Sequence, residues 1–193
     1  MENFKELVTK NRSYRGYDER YQVTREQLEE LVEYARLTPS SVNAQPLKYL
    51  LACEPEVVSK IQPITKWARA LPELELPHKG KCPTAFIVIC QDLTISDSMA
   101  RYQKDIGIVA QTMLLGAVDM GLGGCMIGNF SAAELKAAIG LPDTMAPMLV
   151  VAIGKPDEQI VLTPPGADGS VQYYRDEQDV HYVPKRELED IIL

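Results

Sequence analysis

The chain has 193 residues, 46% of them hydrophobic, with 20 basic side chains against 27 acidic ones and a formal net charge of −7. Those figures fit one ordinary domain, 1–193, with a substantial core, and they argue against general binding to nucleic acid or an anionic membrane. No apolar run is long enough for a bilayer, the start Met1-Glu2-Asn3-Phe4-Lys5-Glu6 has no secretory pattern, and Cys53, Cys82, Cys90 and Cys125 are not closely paired, so a reducing cytoplasm is expected.

In chain order, Phe4, Leu7, Val8 and Asn11 trace one face of a first helix. Arg12, Ser13 and Arg15 fall at or just past its end, in a stretch from Lys10 to Arg25 with five basic residues (Lys10, Arg12, Arg15, Arg20, Arg25) and two acidic ones, Asp18 and Glu19. Arginine forks and a hydroxyl at a turn suit a phosphate. Cations after a helix also complement its dipole, and the spacing leaves both readings open. Thr24 and Gln27 have capping-box spacing ahead of Leu28, Leu31, Val32 and Ala35, which predicts a helix to about Leu37.

Next comes Pro39-Ser40-Ser41-Val42-Asn43-Ala44-Gln45-Pro46, with two hydroxyls and two primary amides between prolines. Asn43 and Gln45 each offer a donor and an acceptor, which suits the edge of a planar heterocycle such as a flavin or pterin. Ser and Asn also cap turns and helices, so this octapeptide is ambiguous alone. A strand is expected over Leu47 to Cys53 and a short helix over Val57 to Gln62. Residues 64–81, with Trp67, Pro72, Pro77 and Gly80, read as an irregular lid. Thr84 to Gln91 reads as a buried strand, and helical spacing runs from about Asp97 to Met120, with Gly107 and Gly116 allowing close approach.

The turn Gly121-Leu122-Gly123-Gly124-Cys125-Met126-Ile127-Gly128-Asn129 fails both nucleotide fingerprints. Met126 stands where the dinucleotide motif needs glycine, and Asn129-Phe130 replaces the Lys-Ser/Thr of a P-loop. Its glycines serve either packing or close backbone approach to a flat ligand. Cys125 to Asn129 is a strand candidate, Ser131 opens a helix to Ala138, and Pro147 to Gly154 is a strand. The last segment, Val183-Pro184-Lys185-Arg186-Glu187-Leu188-Glu189-Asp190, predicts a short helix or docked tail. The pattern gives an α+β fold. His78 and His181 are far apart with no ligand spacing, so no metal site is expected. Sparse acid–base candidates beside several polar clusters suggest that a cofactor carries the chemistry.

Taken in order, these segments resemble the FMN-dependent nitroreductase family (NAD(P)H nitroreductase-like). Asn11-Arg12-Ser13-Tyr14-Arg15-Gly16-Tyr17 resembles its R-R-S-x-R-x-F, and Pro39 to Pro46 its P-S-S-x-N-x-Q-P. Asp105-Ile106-Gly107 through Gln111, with Gly121 to Gly128, resembles the central helix and turn. Val150 to Pro156 resembles the penultimate strand, and Lys185 to Asp190 the terminal phosphate-contacting segment. The chain departs from the family at Asn11, Leu47, Thr112 and Met126, positions that bear mainly on the substrate face.

The resemblance implies a mixed, largely antiparallel central sheet flanked by helices in a domain-exchanged homodimer. It implies one FMN per chain, with Arg12, Ser13, Lys185 and Arg186 at the phosphate and Arg15 at the N1/O2 edge. Asn43 and Gln45, with Ser40 and Ser41 nearby, would reach in from the partner subunit, and the backbone of Ile127, Gly128 and Asn129 would approach N5. The implied activity is ping-pong transfer of two electrons from NADH or NADPH to a nitroaromatic, quinone or similar small acceptor. A dehalogenase, enoate reductase or flavin-consuming oxygenase of the same fold, or a non-enzymatic FMN-binding redox sensor, is the alternative.

Overall fold

The structure, a computed structural model, describes residues 3–193; Met1 and Glu2 lie outside the described residues. Its centre is a four-stranded sheet in the order β1-β2-β4-β3, formed by β1 (Leu47–Ala52), β2 (Ala85–Asp92), β3 (Gly123–Ile127) and β4 (Met145–Gly154). Every pairing in it is antiparallel. The largely antiparallel sheet that the resemblance implies is present, without a parallel pair among these four strands.

Strand β2 shows why the sheet sits where it does. All eight of its residues are buried, and alternation sends Ala85, Ile87 and Ile89 to one face and Phe86, Val88 and Cys90 to the other. On the first face lie α2 (Arg25–Arg36) and α4 (Gln103–Asp119), through Leu28, Leu31, Val109, Met113 and Ala117. On the second lie α3 (Pro55–Ile61) and α5 (Ala132–Ile139), through Ile61 and Leu135, together with Tyr17. Fully burying one such apolar side chain stabilises the fold by roughly 1.5–3 kcal/mol, and Leu31→Ala would cost about 2–5 kcal/mol. Among the described residues no helix is long and apolar enough to cross a membrane.

The helix ends follow local chemistry. Thr24 accepts from the Gln27 N–H while the Gln27 side chain accepts from the Thr24 N–H, closing the expected capping box of α2. Ser131 caps α5 through the Glu134 N–H. The first helix, α1 (Phe4–Lys10), is capped by Asn3 and Glu6 and buries none of its residues. Helix α4 begins at Gln103, not near Asp97, because 99–102 form turns instead.

Beyond β4 the chain builds a second, three-stranded sheet in the order β5-β7-β6, which the sequence pattern does not predict. Strand β5 (Ile160–Thr163) runs parallel to β7 (His181–Pro184), and β6 (Tyr174–Arg175) pairs antiparallel with β7. Stacked Tyr174 and Tyr182 rings, 5.0 Å apart, cover one face. Where the sequence predicts a short helix or docked tail, β7 ends at Pro184, 185–187 are irregular, and only a 3-10 turn forms over Leu188–Asp190.

Candidate functional site

The segment after α1 is held along the free edge of β3. Ser13 bridges Gly124 in parallel, with the Tyr14 N–H donating to the Gly124 carbonyl at 3.1 Å. This approach needs glycine. A Cβ on Gly123 would lie 2.5 Å from the Tyr14 ring and 2.7 Å from Pro156, and one on Gly124 would meet the Ala152 carbonyl at 2.3 Å. Packing thus accounts for both glycines, whereas Gly128 borders open space.

Between this segment, α4, β3 and the small sheet lies a cleft of about 350 Å³, lined among others by Arg12, Ser13, Arg15, Gln111, Met126 and Lys185. Three cationic side chains converge there in a chain of net charge −7. Arg12 donates from Nη2 to the Val8 carbonyl at 2.9 Å, but its buried Nε has no partner. Burial draws the Arg12 guanidinium below its ordinary pKa, with Tyr14 opposing. An anion in the cleft would relieve that cost.

Arg15 is fixed at both ends. Its guanidinium sits 5.1 Å above the Tyr173 ring centroid, and its backbone N–H donates to the Glu158 carboxylate. Glu158 also pairs with Arg175, the two side chains being only 3% and 4% exposed, and Arg175 reaches on to Asp179 at 2.9 Å. The small sheet is thereby tied to the Arg12–Arg15 segment. His181 on β7 also lines the cleft and packs edge-on against Tyr173.

The Pro39–Pro46 segment is organised by a different carboxylate. The Ser40 hydroxyl donates to Asp105 Oδ2 at 2.7 Å, the Ser41 hydroxyl to Oδ1 at 2.8 Å and the Ser41 N–H to Oδ2 at 2.8 Å. Burial alone would raise the Asp105 carboxyl, yet these hydrogen bonds hold it below its ordinary pKa. Val42, Asn43 and Gln45 have φ of 48°, 54° and 50°, a left-handed conformation that is costly for side chains larger than glycine. The Gln45 amide donates to the Asn43 carbonyl and side chain at 3.2 and 3.1 Å. Both amides are exposed.

Ser40 and Gln45 line a separate cavity of about 410 Å³ whose apolar wall includes Val32, Leu47, Leu51 and Val109. Within one chain, then, Arg12, Ser13, Arg15 and Lys185 come together, and the Ser40–Gln45 segment does not join them. The Ile127 side chain faces the core, and Gly128 and Asn129 are exposed. The Asn129 carbonyl accepts from Lys66 N–H at 2.8 Å, so the irregular 64–81 segment crosses the end of β3. Arg186 is exposed and outside the cleft lining. The sequence reading missed Glu158, Tyr173, Arg175 and His181. The signal was present in the aromatic runs Tyr173-Tyr174 and His181-Tyr182-Val183 on either side of an acidic turn, a hairpin pattern.

Comparison with known proteins places these features in context. The family model described as the nitroreductase family matches residues 8–155. An Archaeoglobus fulgidus protein provisionally named NADH dehydrogenase/NAD(P)H nitroreductase is 26% identical over 164 residues, covering 82% of this chain and 88% of its own. The oxygen-insensitive NADPH nitroreductase of Helicobacter pylori is 28% identical over 188 residues, covering 80% and 88%. The crystal structure of a Desulfovibrio desulfuricans protein in complex with FMN shares the fold with a TM-score of 0.72, at 22% identity, over 100% of this chain and 97% of that one.

Proposed function

This chain belongs to the nitroreductase family, and from that premise we propose that it is an FMN-dependent oxidoreductase using NAD(P)H to reduce nitroaromatic, quinone or related small acceptors. The observation that carries the reading is the convergence of Arg12, Ser13, Arg15 and Lys185 on one cleft of an otherwise acidic protein. The donor set fits FMN. Its buried, unpartnered Arg12 Nε and its three cations suit a phosphate monoester.

In this reading Arg12, Ser13 and Lys185 hold the phosphate, and Arg15 faces the N1/O2 edge of the ring. Held by these residues, bound FMN would supply two-electron, ping-pong redox chemistry between NAD(P)H and the acceptor. Arg15 presents a fixed positive charge where negative charge develops, and such a preorganised cation needs no rearrangement during reaction. Its position is held from behind by Glu158 and from the side by Tyr173.

The protein acts as a homodimer in this proposal, with Asn43 and Gln45 of one subunit completing the cleft of the other. Two features support it. Those amides are exposed and line no part of their own chain's cationic cleft. Phe4 and Leu37 are 70% and 67% exposed and line, with Leu7, Tyr34 and Leu115, one groove along α1, α2 and α4, a contiguous apolar patch of the kind a subunit interface covers.

The test is a visible spectrum of the purified protein, followed by chromatography of the pigment released on denaturation and anaerobic addition of NADH or NADPH. About one FMN per chain, bleached by a reduced nicotinamide, is expected. FAD in place of FMN, or no flavin retained after incubation with excess FMN, would overturn the reading.

A further inference from the structure

Residues 64–81 read in sequence as an irregular lid, yet the fold fastens them at both ends and in the middle. At the near end Thr65 bridges Phe130, and the Lys66 N–H donates to the Asn129 carbonyl at 2.8 Å. In the middle Ala68, Leu71 and Leu76 are buried in a small core of their own, and the ring that packs against it from outside the segment is Tyr173. At the far end His78 Nε2 lies 3.3 Å from Asp179 Oδ2, and the Lys81 carbonyl accepts from the Tyr17 N–H at 3.0 Å.

Two of these attachments lead to Arg15. The Tyr173 ring that packs against the Ala68, Leu71 and Leu76 core also carries the Arg15 guanidinium, 5.1 Å from its centroid. Asp179 joins Arg175 at 2.9 Å, Arg175 pairs with Glu158, and Glu158 accepts from the Arg15 backbone N–H. The two routes differ in strength at the segment itself. The His78 and Asp179 side chains are 42% and 48% exposed, and exposed charge contacts contribute little, whereas burial of apolar side chains such as Leu71 and Leu76 is a larger local contribution. The apolar route through Tyr173 therefore dominates.

We propose that the 64–81 segment, through Leu71, Leu76 and Tyr173, is a positioning element for Arg15 and thereby tunes the potential of the bound flavin. This rests on the FMN reading above. In that reading Arg15 meets the N1/O2 edge and the backbone at Asn129 approaches N5, so one segment is fastened beside both the charge-bearing edge and the hydride-accepting atom of the ring. Stabilisation of a developing charge depends on a donor held in place beforehand. A guanidinium released from its aromatic support regains rotamer freedom and loses that preorganisation. Leu71 and Leu76 lie outside the cleft lining and act only through Tyr173.

Two readouts separate the coupling from the cofactor. In ¹⁵N-labelled protein without flavin, the Arg15 Nε–H resonance, assigned by its loss in Arg15→Lys, carries the ring-current displacement of a proton held near an aromatic face. Tyr173→Phe should keep that displacement and Tyr173→Leu should abolish it, while Leu71→Ala and Leu76→Ala should each move the resonance from its native position toward that of Tyr173→Leu. The midpoint potential of bound FMN should follow the same order: near native in Tyr173→Phe, lower in the two alanine variants and lower again in Tyr173→Leu. A native Arg15 resonance in both alanine variants would overturn the proposal, as would a displaced resonance accompanied by a native potential. Neither comparison requires Tyr173→Leu to fold. A native protein that binds no FMN is a different result, which removes the flavin reading and the tuning role together, whatever the resonances show.

Discussion

Arg15 and Tyr173, 158 positions apart in sequence, meet with the guanidinium carbon 5.1 Å from the ring centroid. The charge of Arg15 is placed by an aromatic face, while its backbone is placed by Glu158. The same guanidinium donates from Nη1 to the Ser13 carbonyl at 3.3 Å, beside the cleft that both residues line.

Arg15→Ala should therefore alter the bound flavin's electronics, and Arg12→Ala should not. A charge-assisted contact is worth roughly 1.5–3 kcal/mol, and 30 mV corresponds to about 1.4 kcal/mol for a two-electron couple. Arg15→Ala is expected to lower the midpoint potential by tens of millivolts as well as weaken binding. Arg12→Ala should weaken binding with a much smaller shift, because the charge on a phosphate does not change on reduction. Spectroelectrochemical titration of both variants measures this, and equal shifts, or a larger one for Arg12→Ala, would refute the two assignments.

The Glu158–Arg175 pair should behave as a buried unit. Removing one partner of such a pair costs about 3–5 kcal/mol, mostly from the charge left behind. Arg175→Met should be destabilising on that scale in urea unfolding, and the double variant Glu158→Met/Arg175→Met should be more stable than either single one. A double variant at least as unstable as the sum of the singles would refute the coupling.

Asp105 should give the protein an acid-sensitive component. Its folded pKa is depressed, so its contribution is fully present above the unfolded value of about 4 and is lost as pH falls through the folded value. Asp105→Asn should cost about 1–3 kcal/mol at pH 7 and flatten stability between roughly pH 5 and 2. Unfolding curves for both proteins across that range decide it; parallel pH profiles would show that the carboxylate's charge is immaterial.

Light scattering at low micromolar concentration should return twice the mass of one chain. Stable interfaces of an exchanged type bury on the order of 2,000 Å² or more, which would cover Phe4 and Leu37. A monomer that retains flavin would rule out completion of the site by a second subunit.

How much could be read beforehand depended on how local the cause was. Helix α2 was legible because Thr24, Gln27 and the apolar stripe lie within one window, and β2 because Ala85 to Cys90 are all apolar. The start of α4 was not, since Tyr102 caps it with no side-chain hydrogen bond and nothing in 97–102 forbids a helix. Strands β5 to β7 are four, two and four residues long, too short to show a period. The cations of the cleft stood out against an acidic chain. Glu158 and His181 did not, because only tertiary partners make a buried carboxylate or an unpaired imidazole informative. Nothing local to Ser40 and Ser41 announces that their hydroxyls bond a carboxylate more than sixty positions away.

The cleft walls have a consequence for how the protein is made. One wall is Arg12 to Arg15 and the other Tyr173 to Lys185, so the site joins segments from opposite ends of translation. Contacts this distant in sequence form late, after the central sheet has brought their anchors together. A nascent chain halted before Tyr173 would hold its arginines without their counter-wall, so cofactor capture should await synthesis of the small sheet.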